Sequence, residues 1–259
     1  MPHADVPGAR LNYRFDGPDE APILMLSNSL GTDLGMWAPQ MPALTAHYRV
    51  LRYDSRGHGA SSVSPGPYDV ALLARDALAL LDALALDRVM FCGLSLGGMV
   101  GQWLGANASQ RISRLALCNT AAFMDARDAY NARIDAVSKG GMEPVVEAVI
   151  ARWYTPAFIA ASPDAIAHTR SMLLNTPAAG YIAACAAVRD MDLRAGAERI
   201  HVPTLVIAGA HDLATPPDKG RFLAEKIPGA RYVELAAAHL SNVEAQAAFT
   251  HALTDFLAA

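Results

Sequence analysis

Arg88-Val-Met-Phe-Cys-Gly-Leu-Ser95-Leu-Gly-Gly-Met99 is the stretch whose reading decides the fold. Arg88 to Cys92 is an apolar, strand-like run. Gly93-Leu-Ser95-Leu-Gly97 is a G-x-S-x-G turn, and Met99 to Asn107 has the composition of a helix. In the order strand, tight turn, helix, this pattern places a serine at the apex of a strained elbow with its hydroxyl exposed above a sheet. Glycines two positions before and after the serine remove side chains that would collide across the turn. The helix that follows aims its free N-terminal amides at the same spot, where an oxyanion would be stabilised. An incidental serine in a glycine-rich turn is the plain alternative, and what lies downstream argues against it.

A serine hydroxyl is a weak nucleophile at neutral pH. It needs a base within hydrogen-bond reach, and the base needs an acid that fixes its tautomer. On this type of sheet the chain order is Ser, then Asp or Glu, then His. Pro203 to Gly209 reads as a buried strand and is followed by Asp212; Ala230 to Leu235 reads as a last strand and is followed by His239. All three candidates, Ser95, Asp212 and His239, fall just past strand C-termini, the edge at which open parallel sheets build sites. Asp218 lies further from the strand end, behind Pro216-Pro217, and His211 adjoins Asp212 and is expected to point elsewhere. His251 falls in a terminal amphipathic helix, and His58 in the turn Asp54-Ser-Arg-Gly-His-Gly59, where a loop-stabilising network is the simpler role. Asp54 follows a strand end too and is the rival acid, but it does not lie between serine and histidine in chain order.

Composition narrows the class. The chain has 259 residues and a net charge of −4, enough for one large α/β domain with an insertion. It has no basic run of the kind that binds nucleic acid and no acidic tail. The first residues lack a charged and then apolar leader, and Cys92, Cys118 and Cys185 cannot close a disulfide set among themselves, so a reducing cytoplasm is expected. The uncharged run from Phe91 to Ala108, with glycines at 93, 97, 101 and 105, mimics a membrane-helix interface. The elbow explains its first glycines better, and Gln102 and Asn107 make it poorly apolar. The histidines form no H-E-x-x-H pair and there is no strand-to-helix G-x-G-x-x-G, so neither a metal nor a dinucleotide is implied and no cofactor is expected.

Strand-like runs occur at residues 22–27, 48–53, 89–92, 115–118, 205–208 and 232–235, with 10–15 expected as an antiparallel edge. Helical patterns separate most of them; in Asp69 to Leu84 the residues Leu72, Leu73, Ala77, Leu80, Leu81 and Leu84 share one face. The alternation predicts an α/β fold, a mostly parallel central sheet with helices on both sides. It breaks between Ala121 and Met191, where short helices are punctuated by Gly140-Gly141, Thr155-Pro156, Ser162-Pro163 and Thr176-Pro177. Residues 1–120 and 192–259 are therefore expected to form the core and 121–191 an inserted helical cap over the strand C-termini.

With these residues in place, the chain resembles the α/β-hydrolase family over almost its whole length. Asp54-Ser-Arg-Gly-His-Gly-Ala-Ser61 is similar to that family's D-x-R-G-H-G-x-S segment. Many members carry His-Gly after the early strand, where the next amide completes the oxyanion hole. This chain has Asn28-Ser-Leu-Gly31 instead, which keeps the backbone role for Leu30 but lacks the histidine. Ser27 to Trp37, Arg52 to Gly59 and Gly93 to Met99 resemble the 3-oxoadipate enol-lactonases of protocatechuate degradation. Related esterases and perhydrolases share much of this pattern.

The resemblance implies hydrolysis of a small, carboxylated enol-lactone to 3-oxoadipate in aromatic-compound catabolism, with Ser95 as nucleophile, His239 as base, Asp212 as its acid, and the amides of Leu30 and Leu96 as oxyanion donors. The substrate's carboxylate needs a cation or amides, since burying it unpaired is costly. Within the cap Arg133, Arg152 and Lys139 are the candidate cations, Arg133 first, and Trp153 is a candidate pocket wall. A broad-range carboxylesterase, a cofactor-free perhydrolase, and a small-molecule receptor that keeps a hydrolase pocket are the alternative readings; turnover separates the last from the others.

Overall fold

The computed structural model describes residues 2–259. Eight strands form one sheet in the order β1-β2-β4-β3-β5-β6-β7-β8. They are β1 (His3–Val6), β2 (Ala9–Asp16), β3 (Ile23–Ser27), β4 (Arg49–Tyr53), β5 (Val89–Leu94), β6 (Ile112–Cys118), β7 (Thr204–Gly209) and β8 (Arg231–Leu235). The pairs β1/β2 and β2/β4 are antiparallel, and every later neighbour is parallel. The expected antiparallel edge over residues 10–15 is therefore one strand in from the rim. The rim is β1, a four-residue strand too short to give a pattern of its own, whose Ala4 and Val6 are nevertheless buried.

The parallel strands are joined by helices. Between β4 and β5 runs α1 (Val70–Ala83), capped by the Asp69 carboxylate, which accepts from the Leu72 amide at 2.6 Å; this cap is why the helix starts where it does. α2 (Leu96–Asn107) follows β5 directly. α3 (Arg127–Gly140), α4 (Glu143–Trp153), α5 (Pro156–Ala161), α6 (Pro163–Asn175) and α7 (Ala178–Asp190) all lie between β6 and β7. Each of α4, α5 and α6 begins with proline in its first turn, where a missing N–H costs nothing. α8 (Pro217–Lys226) and α9 (Gln246–Ala258) complete the chain.

Register tells which face each helix covers. Gly101 of α2 packs on Leu117, and Gly220 of α8 packs near Val206. Leu117 and Val206 are register partners on β6 and β7, so α2 and α8 share a face. All six residues of β7 are buried, so its other face is covered as well, by α9. There Phe249 meets Trp37 at 6.2 Å between ring centroids. The helical segment is tied back to the core at several points. An isolated bridge joins Phe123 to Asp192, the Ala183 carbonyl accepts from the Tyr68 amide, and Thr176 donates to the Gly31 carbonyl at 3.0 Å. No single helix is long and apolar enough to cross a membrane among the described residues.

Packing under the elbow is very close. A methyl group on Gly97 would lie 2.2 Å from the Ser27 carbonyl oxygen, whereas one on Gly196 would sit 3.5 Å from its nearest neighbour, the Ala106 methyl. Gly97→Ala is therefore expected to lower unfolding free energy by about 3 kcal/mol. Gly196→Ala is expected to be neutral or stabilising by up to about 1 kcal/mol. Urea midpoints of the two variants against the parent check the contrast; equal midpoints would contradict it.

Candidate active site

Ser95 sits in the turn between β5 and α2 with φ 57° and ψ −114°, a conformation that costs a non-glycine residue about 1–3 kcal/mol. Its surroundings hold it there. The Ser95 amide donates to the Cys118 carbonyl at 2.9 Å, and the Ser95 carbonyl accepts from the Thr120 hydroxyl at 2.8 Å and the Met99 amide at 3.0 Å. No protein group among the described residues hydrogen-bonds the Ser95 hydroxyl. It is left for a ligand or a base.

The loop after β7 brings Asp212, and the loop after β8 brings His239. Asp212 Oδ2 lies 2.8 Å from His239 Nδ1. Facing a carboxylate, that nitrogen donates, so in the neutral ring Nε2 is the atom able to accept a proton. Asp212 is buried and densely solvated by the protein. Oδ1 accepts from the Ala214 and Thr215 amides at 2.7 and 2.8 Å. Oδ2 also accepts from the Thr215 hydroxyl at 2.8 Å and the Asn119 amide group at 3.1 Å. Burial pushes its pKa up, but the charge and hydrogen bond of His239, with the Thr215 and Asn119 donors, outweigh it and hold the carboxyl below the ordinary carboxylate value. The Trp153 ring lies against His239 at 6.0 Å and 33°, restricting the imidazole from its other side.

Lys139 apart, eight candidate site residues came from the sequence, and of these Ser95, Leu30, Arg133, Arg152, Trp153 and His239 line one cavity of about 90 Å³. The other two lie beside it: Asp212 behind His239, and Leu96 next to Ser95 at the start of α2. The amides of Leu30 and Leu96 have no acceptor among the described residues. The Leu30 loop is fixed by Asn28, whose carbonyl accepts from the Gly97 amide at 3.0 Å while its side chain bridges the Tyr53 carbonyl and the Trp37 indole.

The cap cations differ in their surroundings. Arg133 is half-buried. Among the described residues its polar and ring partners are the Tyr181 hydroxyl at 3.4 Å and the face of Tyr130 at 5.1 Å, and no carboxylate pairs with it. Arg152 donates to the Leu213 carbonyl, tying α4 to the loop that carries Asp212. Lys139 is exposed and does not line the cavity. The rival acid Asp54 is engaged elsewhere, accepting from Asn12, the Leu34 amide and the Ala60 amide. His58 is buried in its own turn against the Arg56 carbonyl. His211, Asp218 and His251 are exposed.

Sequence reasoning missed Asn119, Thr215, Ser241 and Glu244. Ser241 donates to Asn119 Oδ1 at 2.6 Å. The Glu244 carboxylate accepts from the Ala238 amide at 2.9 Å and from Thr155, so it links the His239 loop to the start of α5. Thr215, three residues after Asp212, is a turn partner of that carboxylate and was within reach of a local reading; Asn119 and Ser241 meet 122 residues apart, and Glu244 reaches Thr155 across 89 residues.

Comparison with known proteins bears on the fold and the family. A family profile described as the alpha/beta hydrolase fold matches residues 22–141. The chain is 42% identical to 3-oxoadipate enol-lactonase 2 of Acinetobacter baylyi over 94% of its length and 91% of that protein. The crystal structure of the enol-lactonase from Burkholderia xenovorans LB400 superposes with a TM-score of 0.98 at 48% identity, covering all of both chains. A malate-bound thermophilic esterase from Thermogutta terrifontis superposes with a TM-score of 0.89 at 28% identity over 96% of this chain and 93% of that one.

The Asp212–His239 pair yields a prediction in two parts. Asp212→Asn is expected to leave the protein folded and to lower kcat by about 10⁴, because the imidazole loses the partner that sets its tautomer. The depressed pKa of Asp212 also contributes stability above the unfolded-state value of about 3.9, and this is lost as pH falls through the folded value. Denaturation curves from about pH 7 to pH 3 should therefore converge for parent and Asp212→Asn at the acid end. Undiminished kcat in Asp212→Asn would contradict the assignment.

Proposed function

The chain belongs to the α/β-hydrolase family, and from that premise we propose that it is a serine hydrolase that opens 3-oxoadipate enol-lactone with water to give 3-oxoadipate. The observation that carries the reading is a strained, unpartnered Ser95 facing the same small cavity as an Asp212-held His239, in a chain so close to an enol-lactonase over its full length. Residues 121–191 act as the cap that closes this cavity. The small-molecule reaction needs no cofactor, and three buried free thiols suit a reducing cytoplasm.

In this mechanism His239 Nε2 takes the Ser95 proton as the hydroxyl oxygen attacks the lactone carbonyl. The Leu30 and Leu96 amides receive the oxyanion, a contribution of about 3 kcal/mol per donor in such sites. Collapse breaks the ring C–O bond and expels an enolate, a better leaving group than an alkoxide, which stays tethered to the acyl group. Imidazolium returns the proton, and the enol becomes the ketone. Water, deprotonated by His239, then attacks the Ser95 ester; the proton returns to Ser95 and the dicarboxylate leaves.

Arg133 reads the substrate's carboxylate. A half-buried guanidinium with no anionic partner is costly to keep, and a ligand carboxylate in the adjoining cavity supplies the missing charge in bidentate geometry. Arg152 and Trp153 bound the same space, Trp153 as a wall beside His239.

Two measurements test this. Purified protein is expected to hydrolyse the enol-lactone, followed by loss of its absorbance, and Ser95→Ala is expected to lower kcat by several orders of magnitude with the fold intact. Arg133→Ala is expected to lower kcat/KM for the lactone by about ten- to a hundredfold while changing that for p-nitrophenyl acetate by less than about threefold. Equal losses on both substrates would remove Arg133 from carboxylate recognition. A parent enzyme that prefers the neutral ester would replace the lactonase reading with a general esterase.

A further inference from the structure

We propose that Asn119 is a positioning residue that locks the Asp212–His239 pair from the end of β6. The proposal rests on the reading of that pair as acid and base given above. Asn119 directly follows β6 and is 1% exposed. Its φ of 44° is a left-handed conformation that asparagine adopts more readily than other non-glycine residues. The amide donates to the Ile207 carbonyl of β7 at 2.7 Å, which sets where the side chain begins.

From there the carboxamide reaches both catalytic loops. Nδ2 donates to Asp212 Oδ2 and to the Ala238 carbonyl, each at 3.1 Å, and Oδ1 accepts from the Ser241 hydroxyl at 2.6 Å. Both hydrogens of Nδ2 are used, so the orientation of the amide is set by its partners. One group thus donates to the carboxylate oxygen that holds His239 Nδ1, and grips the residue before His239 and the second residue after it. Loss of the donor frees both loops and leaves a buried carboxylate short of one hydrogen bond. A leucine or alanine here would fill space but do neither.

The direct test is Asn119→Asp. The aspartate keeps the shape and keeps an acceptor for Ser241, but it turns the donor facing Asp212 into an anion. Besides Asp212, the charged groups around His239 are Arg133 on α3, Arg152 on α4 and Glu244 beyond Ala238, and none of them changes in the variant. The second carboxylate favours imidazolium, so the acid limb of the kcat/KM–pH profile on the enol-lactone is expected to move up by about one pH unit or more. At the parent's optimum kcat is expected to fall about tenfold or more while KM stays within about twofold, because the group never touches substrate. Ser241→Ala, which removes only the group that orients the amide, is expected to lower kcat about threefold without moving the limb.

A folded Asn119→Asp enzyme with an unshifted limb and kcat within about twofold of the parent would overturn the proposal. If that variant does not fold, Ser241→Ala decides, and an unchanged kcat there overturns it. His239→Ala is measured alongside. If it retains activity, the acid–base reading itself fails, whereas its inactivity beside a normal Asn119→Asp enzyme removes only the role of Asn119.

Discussion

The strained backbone at Ser95 is the constraint on which the rest of the structure depends. A serine with φ 57° is unfavourable by itself, and the fold holds it there with interactions from three directions. The strand β5 enters from the middle of the sheet, β6 takes the Ser95 amide at Cys118, and Thr120 takes its carbonyl. The approach is so close that Gly93, Gly97 and Gly98 each lack room for a methyl group, against Gly97, Ser27 and Thr120 respectively. Once the elbow is so fixed, the hydroxyl stands above the C-terminal edge of the sheet, and the loops after β3, β7 and β8 converge on it.

Those loops are polar, and their polarity is organised. Asp212 stays ionised at neutral pH although buried, because His239 beside it, with backbone and side-chain donors, makes up for the water it has lost. In the proposed mechanism that fixed negative charge stabilises an imidazolium at His239 during attack. On the far side the site is closed by the helical segment, and its attachment is not passive. The Trp153 carbonyl accepts from the Leu240 amide at 3.1 Å, Trp153 packs on His239, and Glu244 reaches from the histidine loop to Thr155. The helical segment and the loop that carries His239 therefore share a boundary at residues 238–240.

How much was legible follows from where each requirement is local. The elbow could be read because strand, turn and helix each demand residue types within twelve positions. Asp212 and His239 could be read because strand ends and chain order place them, and the sheet was read because its central strands are nearly continuous apolar runs, as strands buried on both faces must be. Strand limits came out short: β5 runs on to Leu94 through Gly93, and β6 starts at Ile112, followed by the half-buried Ser113 and Arg114. The rim strand β1 escaped because four residues do not make a pattern. Asn119 escaped for a different reason. Its partners Asp212 and Ser241 are 93 and 122 residues away, and nothing near it in the chain announces them.

The central claim is that Ser95 becomes acylated by the lactone. Ring opening leaves the expelled enolate attached to the acyl group, so the acyl-enzyme carries the whole mass of the substrate with nothing lost. Parent protein mixed with 3-oxoadipate enol-lactone, quenched in acid within the first turnover and mapped by peptide mass spectrometry, reads this directly. The account predicts one adduct equal in mass to the intact lactone, on the peptide that contains Ser95, decaying as 3-oxoadipate accumulates. Turnover with no adduct on that peptide, or with the adduct on another residue, would contradict it.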